Sequence, residues 1–161
     1  CIGDFERISD HSVNIMESAK EMFDKEAEFS KKAQEELAVF TKSIVDILEA
    51  SVKVFCEEDL ELAKKVEPME ECIDYLSEEM KKRHVKRLRK GKCTIEMGFV
   101  LSDITTNYER VSDHCSNVAI CLLQLNEEGF DTHEYQGAYF SKGNEEYEEE
   151  VRRLREYYAL P

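Results

Sequence analysis

An all-α bundle of long antiparallel helices is what this sequence predicts, and three observations predict it. Apolar residues recur at alternating steps of three and four along most of the 161 residues, the mark of a helix with one buried stripe. Only two prolines and six glycines interrupt the pattern. The connections between periodic stretches are short, which makes consecutive helices antiparallel neighbours.

Taken in order, the first helix carries Phe5, Ile8, Ser12, Ile15, Ala19 and Met22 as its stripe. The second, with Ser30 placed to cap its N-terminus, carries Leu37, Phe40, Ile44, Ile47, Ser51 and Val54. Asp59 is placed to cap the third, whose stripe is Leu62, Val66, Met69, Ile73, Leu76 and Met80, with Pro68 expected to kink or restart it. The fourth follows Gly91 and Thr94 and runs through Ile104, Tyr108, Val111, Cys115, Val118, Leu122 and Leu125, with Gly129 expected to end it. From Phe130 the chain turns Tyr- and Glu-rich. Asn144 can cap a short last helix whose Tyr147, Val151, Leu154 and Tyr158 lie against the bundle as a peripheral appendage. The expected division is therefore a bundle over residues 1–129 and a tail over 130–161.

Composition narrows the function. With 22 Lys plus Arg against 36 Asp plus Glu, the net charge of −14 repels phosphate backbones and argues against nucleic acid as a partner. The six cysteines form no CxxC pair and most occupy apolar-patterned positions, so reduced thiols in a cytoplasmic setting are expected. No stretch approaches the ~20 apolar residues of a membrane helix. The chain does not open with Met and a helical motif begins within its first residues, as expected of an excerpt from something longer.

The most informative feature is an internal repeat. Residues 4–15, DFERISDHSVNI, match residues 107–118, NYERVSDHCSNV, with six of twelve positions identical and the apolar stripe in the same phase. The first and fourth helices are thus equivalent elements of two repeated units. Residues 30–129 form one complete three-helix unit, and residues 1–28 are the last helix of another.

Each copy holds a Glu and an Asp four apart, Glu6 with Asp10 and Glu109 with Asp113, which stacks both carboxylates on one helix face a turn apart. A third pair, Glu70 with Asp74, lies on the third helix beside the stripe positions Met69 and Ile73. In an antiparallel bundle that face can meet the Glu109/Asp113 face and gather four carboxylates, and all-oxygen ligation of that kind favours magnesium, calcium, manganese or iron over a thiolate zinc site. The competing reading of any one ExxxD pair is a solvated acidic face.

ERISDH at Glu6–His11 and ERVSDH at Glu109–His114 resemble the ERIGDH-like signature of the PhoU family. The likeness runs through the second helix, the EECIDYL stretch at Glu70–Leu76 and the fourth helix, and covers roughly residues 1–127. It implies a helical bundle carrying multinuclear metal sites, with Glu6, Asp10, Glu70, Asp74, Glu109 and Asp113 as ligands of iron, manganese, magnesium, calcium or zinc ions, and a part in the control of phosphate uptake. In this chain Ser9 and Ser112 stand where the signature has glycine, placing a hydroxyl near each site. FDTHEY at Phe130–Tyr135 and the acidic helix ending in YALP are similar to the C-terminus of bacterial sodium-dependent phosphate cotransporters. That likeness implies a membrane-embedded phosphate transporter as partner, within the same full-length chain or beside it, a location at the inner face of the cell membrane, and room for homo-oligomers.

Two features lie outside the motifs. The basic run from Lys81 to Lys92 suits a solvated helix end, where cations complement the helix dipole, or contact with an anionic membrane or a transporter's inner face. His11 and His114 directly follow the motif aspartates, about 100° around the helix, a place for supporting rather than ligating the metal. Di-iron oxidases also use carboxylate-rich bundles, but with Glu-x-x-His pairs, and no His here has a Glu three residues before it. There is no phosphate-cradling glycine loop and no nucleophile elbow, so an enzyme is not expected. A metal-free helical scaffold for protein contacts is the competing function.

Overall fold

The computed structural model describes residues 1–126 and 144–161, and five helices make up that part of the chain: α1 Ile2–Asp24, α2 Lys31–Glu57, α3 Leu60–Arg89, α4 Ile95–Asn126 and α5 Glu145–Tyr157. The all-α bundle expected from periodicity is what forms. The cap residues act as their chemistry dictates, since a side-chain oxygen at the first position accepts one of the helix's orphan N–H groups. Ser30 Oγ accepts from Ala33 N at 3.4 Å, Asp59 Oδ1 from Leu62 N at 3.0 Å, and Asn144 Oδ1 from Glu146 N at 3.1 Å. Gly91, at φ +62°, makes the left-handed turn out of α3 that a side chain would strain.

α4 is the hub, packing on α1, α2 and α3, while α5 lies along α3. The buried stripe of α4 is correspondingly wide, adding Leu101, Thr105, Ser112, Ser116 and Ala119 to the expected apolar positions. Phe40, Ile47, Val54, Val66, Ile73, Leu76, Met80, Val111 and Val118 are almost free of solvent, and each such side chain contributes roughly 1.5–3 kcal/mol through burial. Tyr108 packs edge-on to Phe40 with ring centroids 5.2 Å apart, and its hydroxyl meets Thr41 Oγ1 at 2.9 Å.

Three expectations need correction. Leu125, expected on the buried stripe of α4, is largely exposed near the end of that helix. α3 runs unbroken through Pro68, which is buried, so this proline starts no new helix; packing on both sides holds the segment helical despite the missing N–H. In α1 only Ile8 and Ser18 are buried, and Ser12 and Ala19 of its stripe are exposed. The stripe is real, but α1 packs chiefly on α4 and so buries a single edge of it. Gly129 and the FDTHEY segment lie outside the described residues.

α5 is held firmly rather than loosely appended. Val151, Leu154 and Tyr158 are buried, Tyr147 Oη donates to Glu71 Oε2 at 2.9 Å, Arg155 reaches Glu71 Oε1 at 3.1 Å and stacks 4.5 Å over Tyr75, and Tyr158 Oη donates to Asp46 at 2.6 Å. Arg83 donates to the carbonyl of Pro161 at 2.6 Å. The same guanidinium belongs to a buried charge cluster. Glu36, with no exposed surface, accepts from Arg83 Nη1 at 3.1 Å and from Arg87 Nη1 at 2.6 Å.

The start of α4 packs against α3 by means of a missing side chain. A Cβ on Gly98 would sit 2.8 Å from Nε2 of the buried His84. Gly98→Val is therefore expected to lower stability by about 1–2 kcal/mol through overpacking, read as an earlier urea midpoint. An unchanged midpoint would show that the imidazole simply swings aside.

Candidate functional site

Because α3 and α4 are antiparallel and pack along their length, residues four apart on each line up along one seam. The seam brings Glu70 and Asp74 of α3 together with Glu109 and Asp113 of α4 as an electrostatic unit. Burial and the neighbouring carboxylates of Asp74, Glu67, Asp113 and Glu71 push the Glu70 carboxyl up to about 8. Asp74 is also raised, by burial and by Glu109 and Asp113. The acids that act most on this pair come from α3 and α4, and Glu6 and Asp10 lie on α1. Those two stand exposed on α1, with no ion pair or hydrogen bond of their side chains among the described residues.

Two residues of the seam carry no motif. Lys81 lays its ammonium on both oxygens of Glu109, at 3.0 and 3.2 Å, and partly offsets the raised state of Asp74. Ser116 Oγ donates to Glu67 Oε2 in a short hydrogen bond. Lys81 gave no signal beyond belonging to the basic run, because only the fold shows that its long side chain crosses to the other helix. Ser112, standing at the signature's glycine, is fully buried and turns its hydroxyl to Glu109 O of its own helix at 2.7 Å; the hydroxyl is used up on backbone rather than offered to the seam.

The donor chemistry suits a hard cation. Carboxylates raised by burial and by neighbouring like charges are groups that a divalent ion would relieve, and the donor atoms are oxygens throughout. In the described residues, however, no three His, Cys, Asp or Glu side chains stand together closely enough to hold an ion, and Glu109 is engaged by Lys81. The seam is thus a half-neutralised carboxylate cluster whose internal counter-ion is an ammonium. The acids that share this seam are Glu70, Asp74, Glu109 and Asp113, and Glu67 adds its charge to Glu70.

The histidines of the repeated motif do something else. His11 Nδ1 lies 2.9 Å from Asn107 Oδ1, and Asn14 Nδ2 donates to the same oxygen at 3.1 Å. His114 Nδ1 lies 3.0 Å from Asp4 Oδ1, and Asn117 Nδ2 is 3.4 Å from it. Asp4, His11 and Asn14 are the repeat equivalents of Asn107, His114 and Asn117, so each half of the α1–α4 contact mirrors the other. The rings of His11 and His114 stack at the centre, 5.8 Å apart. An approximate two-fold axis therefore runs between α1 and α4, and the motif histidines serve helix pairing.

The family described as "PhoU domain" matches residues 40–122, just over half of the chain. The phosphate-specific transport system accessory protein PhoU homolog 1 of Thermotoga maritima is 32% identical over 115 residues, which cover 71% of this chain and 49% of that protein. The chain thus spans about half the length of this relative. No solved structure matches.

Proposed function

The chain belongs to the PhoU family, and from that premise we propose that it is a regulatory or accessory module of phosphate transport, acting through its helix surfaces and a hard-cation site on the α3–α4 seam rather than by catalysis. The partner on this reading is a membrane-embedded phosphate transporter, and the FDTHEY and YALP stretches of the tail favour a sodium-dependent cotransporter, with the module at the inner face of the cell membrane. Among the described residues no helix is long and apolar enough to cross a membrane. The observation that carries the metal reading is the raised Glu70 carboxyl, pushed up to about 8 beside Asp74, Glu67 and Asp113. A protein that keeps such a half-buried acid beside like charges carries an unfavourable ionised form that a cation would relieve.

In this reading Glu70, Asp74, Glu109 and Asp113 supply the ligands, and Lys81 leaves Glu109 when the ion arrives. The first pair, Glu6 and Asp10, would be completed only by a partner surface against α1. A second reading rests on Lys81 itself. With Glu109 already paired, the seam serves as a charge-balanced contact face and the domain is a metal-free scaffold.

Manganese titration followed by calorimetry separates them. Metal binding by the purified protein is expected, with loss in Glu109→Gln/Asp113→Asn and affinity raised about fivefold in Lys81→Gln, since a competing charge–charge contact contributes about 1 kcal/mol. No binding by either the parent or Lys81→Gln, to manganese or to iron, would leave the scaffold.

A further inference from the structure

We propose that the pole of the bundle formed by the end of α3 and the start of α4 docks onto an anionic lipid surface. The inference deepens the reading of a module serving a membrane transporter, but it stands on different residues from the carboxylate seam. Between Lys81 and Lys92 the chain carries eight cations and no acid. The fold spends half of them internally: Lys81 on Glu109, Lys82 on Glu78 and Glu79, Arg83 and Arg87 on Glu36. Lys86, Arg89, Lys90 and Lys92 remain, with no carboxylate in ion-pair reach among the described residues, and Lys86, Arg89, Lys90 and Lys92 are all exposed.

Apolar side chains stand beside them. The contact of Gly98 with His84 fixes the antiparallel register of α3 on α4 and places Val85, Ile95 and Phe99 level with the free cations. The register of α1 on α4, with Asp4 against His114 and His11 against Asn107, brings Phe23 level with Ile95. Phe23 is 83% exposed, Ile95 69%, Phe99 68% and Val85 45%. These residues sit on three helices at one end of the bundle. Cations flanking exposed aromatic and aliphatic groups is the composition that holds a protein at a lipid headgroup layer.

Charge sets the orientation. Acids share the pole at Asp24, Glu26 and Glu28, next to Phe23, and at Glu96 on α4; they centre the contact on the end of α3 and its turn, where Lys86, Arg89, Lys90 and Lys92 stand with no acid among them. The net charge of −14 drives the rest of the molecule away from an anionic bilayer, so the basic pole is the part that can approach. Each cation near such a surface raises binding about fivefold, and four of them make an association that responds steeply to salt.

Co-sedimentation with vesicles tests this, using phosphatidylcholine alone and an equimolar mixture of phosphatidylcholine and phosphatidylglycerol. Binding to the mixed vesicles only, weakening as salt is added, is expected. Lys86→Glu/Arg89→Glu/Lys90→Glu should lower it about a hundredfold or more, and Phe99→Ser should lower it with the salt dependence kept, both variants retaining the parent's circular dichroism. Equal binding to the two vesicle types, no binding, or indifference to the triple substitution overturns the proposal. Capture by polyglutamate in place of vesicles also overturns it, marking the pole as a face for acidic protein. Manganese binding that persists in a protein that ignores vesicles separates failure here from failure of the metal reading.

Discussion

Glu36→Ala should unfold this domain far more readily than any surface change, by about 3–5 kcal/mol in a urea titration. Glu36 is fully enclosed and faces two guanidiniums, Arg83 and the largely buried Arg87. Removing it leaves two like charges facing each other with no counter-ion. Two side-chain nitrogens of Arg87 are already buried without a partner, so the site has no spare acceptor to recruit. The size of the loss reflects abandoned charge rather than the worth of the cluster, and a companion variant shows the difference. Replacing Glu36, Arg83 and Arg87 together by Met should restore most of the stability, because removing a whole buried ion cluster is often neutral or better. Arg83 also holds Pro161 and Leu160, so the triple variant should fray the end of α5. A Glu36→Ala protein with the parent's urea midpoint would mean that water reaches the cluster.

The second large effect has the opposite sign. Glu70 has its carboxyl pushed up to about 8 from an ordinary 4.5, so the fold favours its protonated form. For an acid raised in this way, the favourable contribution is complete below about pH 4.5 and is lost as pH climbs through 8. Glu70→Gln resembles the protonated side chain at every pH. The variant should match the parent near pH 4.5 and exceed it above pH 8 by about 2 kcal/mol, a figure already reduced for solvent at the seam. Thermal unfolding at the two pH values reads this directly. Asp74→Asn should act in the same direction, since Glu109 and Asp113 raise Asp74 too. Added manganese should stabilise the parent at pH 8 and leave the Glu70→Gln protein nearly unmoved. A parent and variant that melt together at both pH values would remove the unfavourable ionised form on which the metal reading rests. Retaining a destabilised acid at a surface seam fits a binding role, since strain of this kind persists where something relieves it.

Much of this architecture could be read before any coordinates. Stripes spaced three and four residues apart located the helices, and Ser30, Asp59 and Asn144 cap them because short polar side chains can reach the orphan N–H groups. The meeting of Glu70 and Asp74 with Glu109 and Asp113 followed from two periodicities and an antiparallel connection. What escaped were contacts set by side-chain reach and by neighbour number. Lys81 looked like one more cation in a basic run, and nothing local says that it spans two helices. Glu36 sits in phase with Ala33, Phe40 and Ile47, so its burial was legible in principle, yet an acid in an acidic helix reads as solvent-facing. α1 has as good a stripe as its neighbours, but how much of a stripe is covered depends on how many helices surround it.

The near-symmetry of the α1–α4 contact makes it a question of choosing between similar partners. A helix that meets its own repeat across a two-fold axis presents a surface that also complements a copy of itself. Two α4 helices facing each other would set both histidines against an asparagine amide, and two α1 helices would set both against a carboxylate. The intramolecular pair has one of each: Asp4 on His114 and Asn107 on His11. A single departure from the repeat, carboxylate in one copy and amide in the other, therefore labels the two helices as different.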